Sequence, residues 1–193
     1  MNPYRQRIWS MLKPILEAQG PLDKVLDFGC GDGWFASQVL AHMQVRELVP
    51  LDIKRREHVF VEPLICTPDA PLPFPDETFD LAYSVDVLHH CADPFRQLDE
   101  LTRVSRRYLL LKDHNYSSAT GRLALAVLDE LGNRKFGIPS PYNYQHAWSW
   151  TDHLARRGWV QKIFIHPAPC HVGPLGLLTN SLQYVALYER EPG

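Results

Sequence analysis

Between Val25 and Gly33 the chain reads Val-Leu-Asp-Phe-Gly-Cys-Gly-Asp-Gly, a short apolar run entering three glycines at alternate positions, after which Phe35, Val39, Leu40 and Met43 recur at helical spacing. That pattern is a strand, a tight turn and a helix. Glycine admits backbone angles that a Cβ would bar, and it lets a ligand approach the amides at the helix N-terminus. Dinucleotide-binding turns follow G-x-G-x-x-G, and the place of their third glycine is Trp34 here, so the spacing disfavours a nicotinamide dinucleotide. Asp27, two residues before the first glycine, would repel a diphosphate and suits a cationic ligand. Asp52 ends the next apolar run, where an acid can accept both hydroxyls of a ribose.

The rest of the chain continues the alternation. Ile8, Met11, Leu12, Ile15 and Leu16 form the buried stripe of a leading helix within residues 1–20, stopped by Gly20-Pro21. Strands are expected at Leu48–Ile53, Leu64–Cys66, Phe79–Val85, Tyr108–Leu111, Trp159–Ile165 and Gln183–Tyr188. Asp93-Pro94 caps a helix through Val104, a further helix covers 118–131, and Ser149 with Asp152 has the form of a capping box. Strands alternating with helices give an α/β, mostly parallel sheet. With 193 residues there is room for one domain, 1–193, and none for a separate substrate domain. The net charge of -2 offers no uniform positive field, so nucleic acid is not an expected partner. No apolar run is long enough for a signal segment or an integral membrane anchor, which points to the cytoplasm. Cys30, Cys66, Cys91 and Cys170 form no C-x-x-C pair and read as free thiols.

VLDFGCGDG, Asp52, PDAPLPFPDETFD (Pro68 to Asp80), LAYSVDVLHHCADP (Leu81 to Pro94) and SWTDHLARRGW (Ser149 to Trp159) together resemble the class I S-adenosylmethionine-dependent methyltransferases, in particular the small-molecule, methyltransferase type 11-like group. The resemblance implies a single three-layer Rossmann-like α/β domain with a seven-stranded sheet of order 3-2-1-4-5-7-6, the last strand antiparallel. It implies that Asp27, Gly29, Cys30 and Gly31 hold the methionine end of S-adenosylmethionine, Asp52 the ribose, and Asp69 and Ala70 the adenine, with Ser84, Val85 and Asp86 closing the pocket. The connection from Asp52 to Asp69 is shorter than the family's, so its helix is expected to shrink to a turn and leave one wall of the adenine site open.

The product would be S-adenosylhomocysteine, and the acceptor a small or lipid-like molecule recognised by an insertion over 115–150. His89 and His90 follow the fourth strand, and Asp113 and His114 end the fifth, an adjacent strand in the implied order. His89, oriented by Asp113, is the first candidate for a general base, and His90 the second. His114, Tyr142, Tyr144 and Trp148 are candidate acceptor contacts, within an aromatic loop that also holds Phe136, Gly137 and Pro139. No metal is expected, because adjacent residues such as His89 and His90 should diverge and no further ligand has suitable spacing. Lys54-Arg55-Arg56 reads as a solvated face. The competing readings are a methyltransferase-like S-adenosylmethionine-binding protein without catalysis, and an RNA methyltransferase.

Overall fold

Successive residues of the central strands belong alternately to two apolar clusters: Leu26, Ala82, Leu109, Leu111, Tyr184, Ala186 and Tyr188 to one, and Val25, Leu81, Tyr83, Leu110, Val185 and Leu187 to the other. A strand turns successive side chains to opposite faces, so both faces of this sheet are covered. The computed structural model describes residues 2–133 and 141–191.

In chain order the elements are α1 (Pro3–Glu17), β1 (Leu22–Phe28), α2 (Trp34–His42), β2 (Val45–Asp52), β3 (Leu64–Ile65), β4 (Phe79–Val85), a 3-10 turn (Leu88–His90), α3 (Pro94–Val104), β5 (Ser105–Tyr116), α4 (Ala119–Asn133), β6 (Gln145–His146), α5 (Ser149–Ala155), β7 (Trp159–Ile165), α6 (Gly173–Thr179), a second 3-10 turn (Asn180–Leu182) and β8 (Gln183–Arg190). The sheet runs β3-β2-β1-β4-β5-β8-β7, with β6 paired to the end of β5. Leaving out the two-residue β6, this is the expected 3-2-1-4-5-7-6 order. The last strand, β8, lies antiparallel to both of its neighbours.

The leading helix starts at Asn2, whose side chain accepts the Tyr4 amide at 3.0 Å, with Pro3 in the first turn. Its stripe Ile8, Met11, Leu12, Ile15 and Leu16 packs on one face of the sheet. On the other face lie Leu98, Leu101 and Val104 of α3 with Trp150 and Leu154 of α5. Asp93 caps α3 as expected, its carboxylate accepting the Phe95 and Arg96 amides at 3.1 Å. The capping box at Ser149 does not form. Trp148 stands at the N-cap in a left-handed conformation, and the Gln145 side chain, five residues before Trp150, accepts the Trp150 amide at 2.8 Å and the Thr151 amide at 3.1 Å.

Between β2 and β3 there is no helix, as the short spacing requires. The connecting loop folds back on the glycine turn, and the Phe60 amide donates to the Asp32 carbonyl at 2.7 Å. The order reverses at β1, which has β2 on one side and β4 on the other. Ligands of open α/β sheets bind in the crevice that such a reversal leaves at the carboxyl ends of the strands. Among the described residues no helix is long and apolar enough to cross a membrane.

Candidate active site

The three glycines of the turn all have positive φ, +75 at Gly29, +62 at Gly31 and +74 at Gly33. A Cβ on Gly29 would stand 2.4 Å from both γ-carbons of Val87, and one on Gly33 would stand 2.7 Å from the Val61 carbonyl oxygen, so these two glycines serve close packing. Gly31 differs, because nothing lies within 4 Å of where its Cβ would be. The Asp52 carboxylate braces the turn, accepting the Gly31 amide at 2.7 Å and the Lys54 amide at 3.0 Å.

Around the turn lies a cleft of about 790 Å³, within the size range of small-molecule sites. Gly29, Cys30 and Gly31 line it after β1, Asp52 after β2, Asp69 and Ala70 after β3, and Val85 and Asp86 at the end of β4. The loop that replaces the missing helix supplies a wall through Ile53 to His58, so this side of the cleft is not left open. Lys54, Arg55 and Arg56, expected on a solvated face, therefore border the cleft, and Arg55 pairs with Glu62 at 2.6 Å. The Asp69 carboxylate accepts the Ala92 amide at 3.0 Å, tying the loop after β3 to the segment after β4.

Asp27 and Ser84 take a different place from the one expected. Both are buried, at 2% and 1% exposure, and neither is part of the cleft lining. Asp27 lies beneath the turn, where burial pushes its carboxyl up to about 7; the Tyr83 hydroxyl beside it offsets only part of that rise.

A second cavity, of about 300 Å³, adjoins the first. It is lined by His89, His90, His114, Asp129, Tyr144 and His171 with Leu125, Leu128 and Gln183, and it shares Tyr4, Asp86 and His90 with the large cleft. At the shared wall the Tyr4 hydroxyl donates to Asp86 at 2.8 Å. The fully buried Lys112 ammonium donates to Asp86, to the Tyr4 oxygen and to Gln183, the last two at 2.7 Å. Burial alone would raise the Asp86 carboxyl, and the Lys112 ammonium with His114 outweighs it and holds the group below the usual carboxylate range.

His89 and Asp113 meet as expected. The Nδ1 to Oδ1 distance is 2.6 Å, and Asp113 also accepts the Leu88 amide at 3.2 Å and the His114 amide at 2.8 Å. Burial disfavours charge on His89, but Asp113 and then Asp129 outweigh it and raise its pKa to about 10. His90 goes the other way, pushed down to about 4 by burial and by the neighbouring His89. The two rings do not diverge: their centroids are 4.1 Å apart, and both Nε2 atoms approach Asp129 Oδ1, at 3.8 Å for His89 and 3.7 Å for His90.

Of the four expected acceptor contacts, His114 and Tyr144 line the second cavity. Trp148 does not, because its indole packs edge-on against Phe164, His166 and Tyr184 and its amide donates to Asn115. Tyr142 is also outside the lining, and its hydroxyl donates to Glu130. Phe136, Gly137 and Pro139 lie outside the described residues. Tyr4, Lys112, Asp129, His171 and Gln183 are additions to the site. Each comes from an element distant in sequence from the glycine turn, and no local motif marks them.

Comparison with known proteins gives one matching family model and many structures of one fold. Residues 26–108 match the methyltransferase domain family. No curated protein matches the chain. An S-adenosylmethionine-dependent methyltransferase from Mesorhizobium loti superposes with a TM-score of 0.68 at 17% identity, covering 95% of this chain and 98% of that one. The YcgJ protein from Bacillus subtilis superposes with a TM-score of 0.62 at 19% identity, over 98% and 100% of the two chains. The [4+2]-cyclase SpnF superposes with a TM-score of 0.63 at 15% identity, over 97% and 81%. Likeness at these identities is likeness of fold.

Proposed function

We propose that the chain is a class I S-adenosylmethionine-dependent methyltransferase, a reading supported by the match of residues 26–108 to the methyltransferase domain family, and that it transfers a methyl group from S-adenosylmethionine to a small-molecule acceptor by in-line displacement, releasing S-adenosylhomocysteine. The observation that carries this reading is the pair of cavities meeting at Tyr4, Asp86 and His90. A two-substrate transfer needs its ligands held end to end, and proximity of that kind supplies much of the rate enhancement.

The residues of the large cleft fit the cofactor. Open space at the Gly31 Cβ position leaves the turn accessible to the methionine end. Asp52 spends one lone pair per oxygen on backbone amides and keeps others for the ribose hydroxyls. Asp69 and Ala70 face the adenine, and Val85 and Asp86 close the pocket. Asp27 and Ser84 act from behind the wall rather than by contact. When bound, S-adenosylmethionine supplies a sulfonium methyl already activated for displacement.

The protein then has to hold the acceptor in line and give its proton somewhere to go. His89 and His90 both line the second cavity; His90, kept neutral by burial and by the neighbouring His89, is the group proposed to receive that proton, while His89, its pKa raised by Asp113, already carries one and positions the site. Histidines, Asp129, Tyr144 and Gln183 set polar groups among the apolar surface of Leu125 and Leu128, which suits a small acceptor that carries both an apolar body and a polar group.

Calorimetry with S-adenosylmethionine and, separately, NAD(H) tests the cofactor. Micromolar S-adenosylmethionine binding is expected, and none at millimolar concentration would overturn the reading. A methyl-transfer assay against an extract of the source cells, read by mass spectrometry for a gain of one methyl, tests transfer. Binding without any transfer would favour a non-catalytic S-adenosylmethionine-binding protein, or a catalyst of another reaction on this fold, as SpnF is.

A further inference from the structure

The geometry points to a divalent transition-metal ion held in the second cavity by His89 Nε2, His90 Nε2 and Asp129 Oδ1. The ligating atoms of these three residues all lie within 4.8 Å of one another, and both histidine nitrogens stand under 4 Å from the same carboxylate oxygen. Donors around a tetrahedral ion with metal–ligand distances of about 2.0–2.1 Å stand ~3.4 Å apart. The observed 3.8 and 3.7 Å separations are therefore a few tenths of an ångström wider than a loaded site requires. A rotation of two side chains closes that gap.

The ligands come from two unconnected elements. His89 and His90 sit on the 3-10 turn after β4, and Asp129 on α4, which β5 separates from that turn in sequence. Tight winding of the 3-10 turn brings the adjacent rings to 4.1 Å between centroids at an interplanar angle of 42°. On an extended segment neighbouring side chains would point apart.

Two of the three ligands are also held from behind, as metal ligands are. His89 presents Nε2 because its Nδ1 donates to Asp113 at 2.6 Å, and Asp113 is itself fixed by the amides of Leu88 and His114. Asp129 presents Oδ1 while its Oδ2 accepts the Tyr144 hydroxyl at 3.1 Å. A second grouping, His89 with Asp113 and His114, also has its ligand atoms close together. There the His89–Asp113 hydrogen bond already fills the space between donors, so Asp113 belongs to the supporting shell.

Two imidazoles and one carboxylate suit zinc, ferrous iron or manganese, with the remaining coordination positions open to the cavity. The inference does not depend on the methyl-transfer reading, because the 3-10 turn and α4 alone bring the three ligand atoms together. Taken with that reading, it assigns the acceptor a hydroxyl or amine able to coordinate the ion, which would then acidify it in place of proton uptake at His90.

The test uses the intact protein, stripped with a chelator and titrated with Zn²⁺ alone by calorimetry, then with Co²⁺ by visible spectroscopy. One equivalent should bind, and Co²⁺ should give ligand-field bands without a thiolate charge-transfer band. His90→Gln and Asp129→Asn should each weaken binding ~100-fold or more, and Asp113→Asn ~10-fold, since loss of a supporting partner alone costs about 10–100-fold. Circular dichroism spectra and melting curves check that each variant is folded. A His42→Gln variant, altered on the exposed end of α2, should bind like the parent. Absence of saturable binding would overturn the inference, as would binding unchanged in folded His90→Gln and Asp129→Asn, or a thiolate band assigning the ion to Cys91. S-adenosylmethionine calorimetry on the same stripped protein reports on the cofactor cleft separately, so either reading can fail while the other stands.

Discussion

Replacing Asp27 by Asn should stabilise the protein, and by an amount that grows with pH. The side chain is 2% exposed beneath the glycine turn, and burial lifts its carboxyl from 3.8 to about 7. Between those values the folded state holds a proton that the unfolded state has released, so stability falls as pH rises across this window. Each pH unit costs about 1.4 kcal/mol, and the loss stops once the folded-state carboxyl ionises. By pH 5 the penalty is ~1.6 kcal/mol, and by pH 8 it reaches ~4 kcal/mol. Asn keeps the size and the hydrogen-bonding oxygen but has no proton to lose.

Urea denaturation of both proteins at pH 5 and pH 8 measures this directly. Other groups titrate over the same range, but they do so alike in the two proteins and cancel in the difference. The stability advantage of Asp27→Asn over the parent should increase by ~2–3 kcal/mol from pH 5 to pH 8. A constant difference, or a less stable Asn variant at pH 8, would mean that the carboxylate is ionised and paired in the fold, and the account of burial would be wrong. Calorimetry on the variant adds a functional reading. Weaker S-adenosylmethionine binding together with a gain in stability would give Asp27 a role toward the cationic ligand, whereas unchanged affinity would leave it a purely structural acid.

Three further changes test other parts of the structure. Gly29→Ala places a methyl 2.4 Å from two Val87 carbons at φ +75 and should cost at least ~2 kcal/mol in chemical denaturation; Val87→Ala in the same chain should recover part of it, leaving the Cβ contact at 2.9 Å and the backbone strain of about 1 kcal/mol. Lys112→Met strands the Asp86 carboxylate at the shared wall, with an expected loss of ~3–5 kcal/mol, and the Lys112→Met, Asp86→Asn double variant should regain part of it. Trp148→Phe should lower the melting temperature by a few degrees, equivalent to ~1–2 kcal/mol, and leave acceptor KM and turnover unchanged, since the indole packs among Phe164, His166 and Tyr184; a large KM effect would return it to the acceptor side.

What the sequence made legible was whatever local chemistry determines. Short apolar runs and the glycine turn identify the strands and the crevice, because a strand covered on both faces carries apolar side chains at successive positions. The His89–Asp113 pair was legible because β4 and β5 are adjacent parallel strands, so the turn that follows β4 lies beside the C-terminal part of β5. Asp129 was not, because a helix after β5 can be rotated in many ways and only tertiary packing turns that residue toward the histidines. Trp148 misled for the same reason: aromatic content in a loop reveals that large apolar area must be buried, and not against which surface. The capping box failed because Gln145, which β6 pairs with β5, supplies the cap from outside the helix.

The wall between the two cavities bears on how ligands enter. Tyr4 from α1, Lys112 from β5 and Gln183 from β8 converge there, and Asp86 accepts from Tyr4 and Lys112. Swinging α1 away from the cleft would take the Tyr4 hydroxyl from both Asp86 and Lys112 and expose the helix's apolar stripe. Arg5 of the same helix adds an ion pair with Asp32 in the glycine turn at 2.6 Å. The opposite wall, the loop from Ile53 to His58, carries the Arg55–Glu62 pair, which is solvated and screened and therefore holds little. Ile53 and Phe60 of this loop are exposed and give up little apolar burial when they move. Opening the large cleft thus costs least on the side where the chain has a loop in place of a helix, while the wall facing the second cavity keeps its geometry whether or not the cleft is filled.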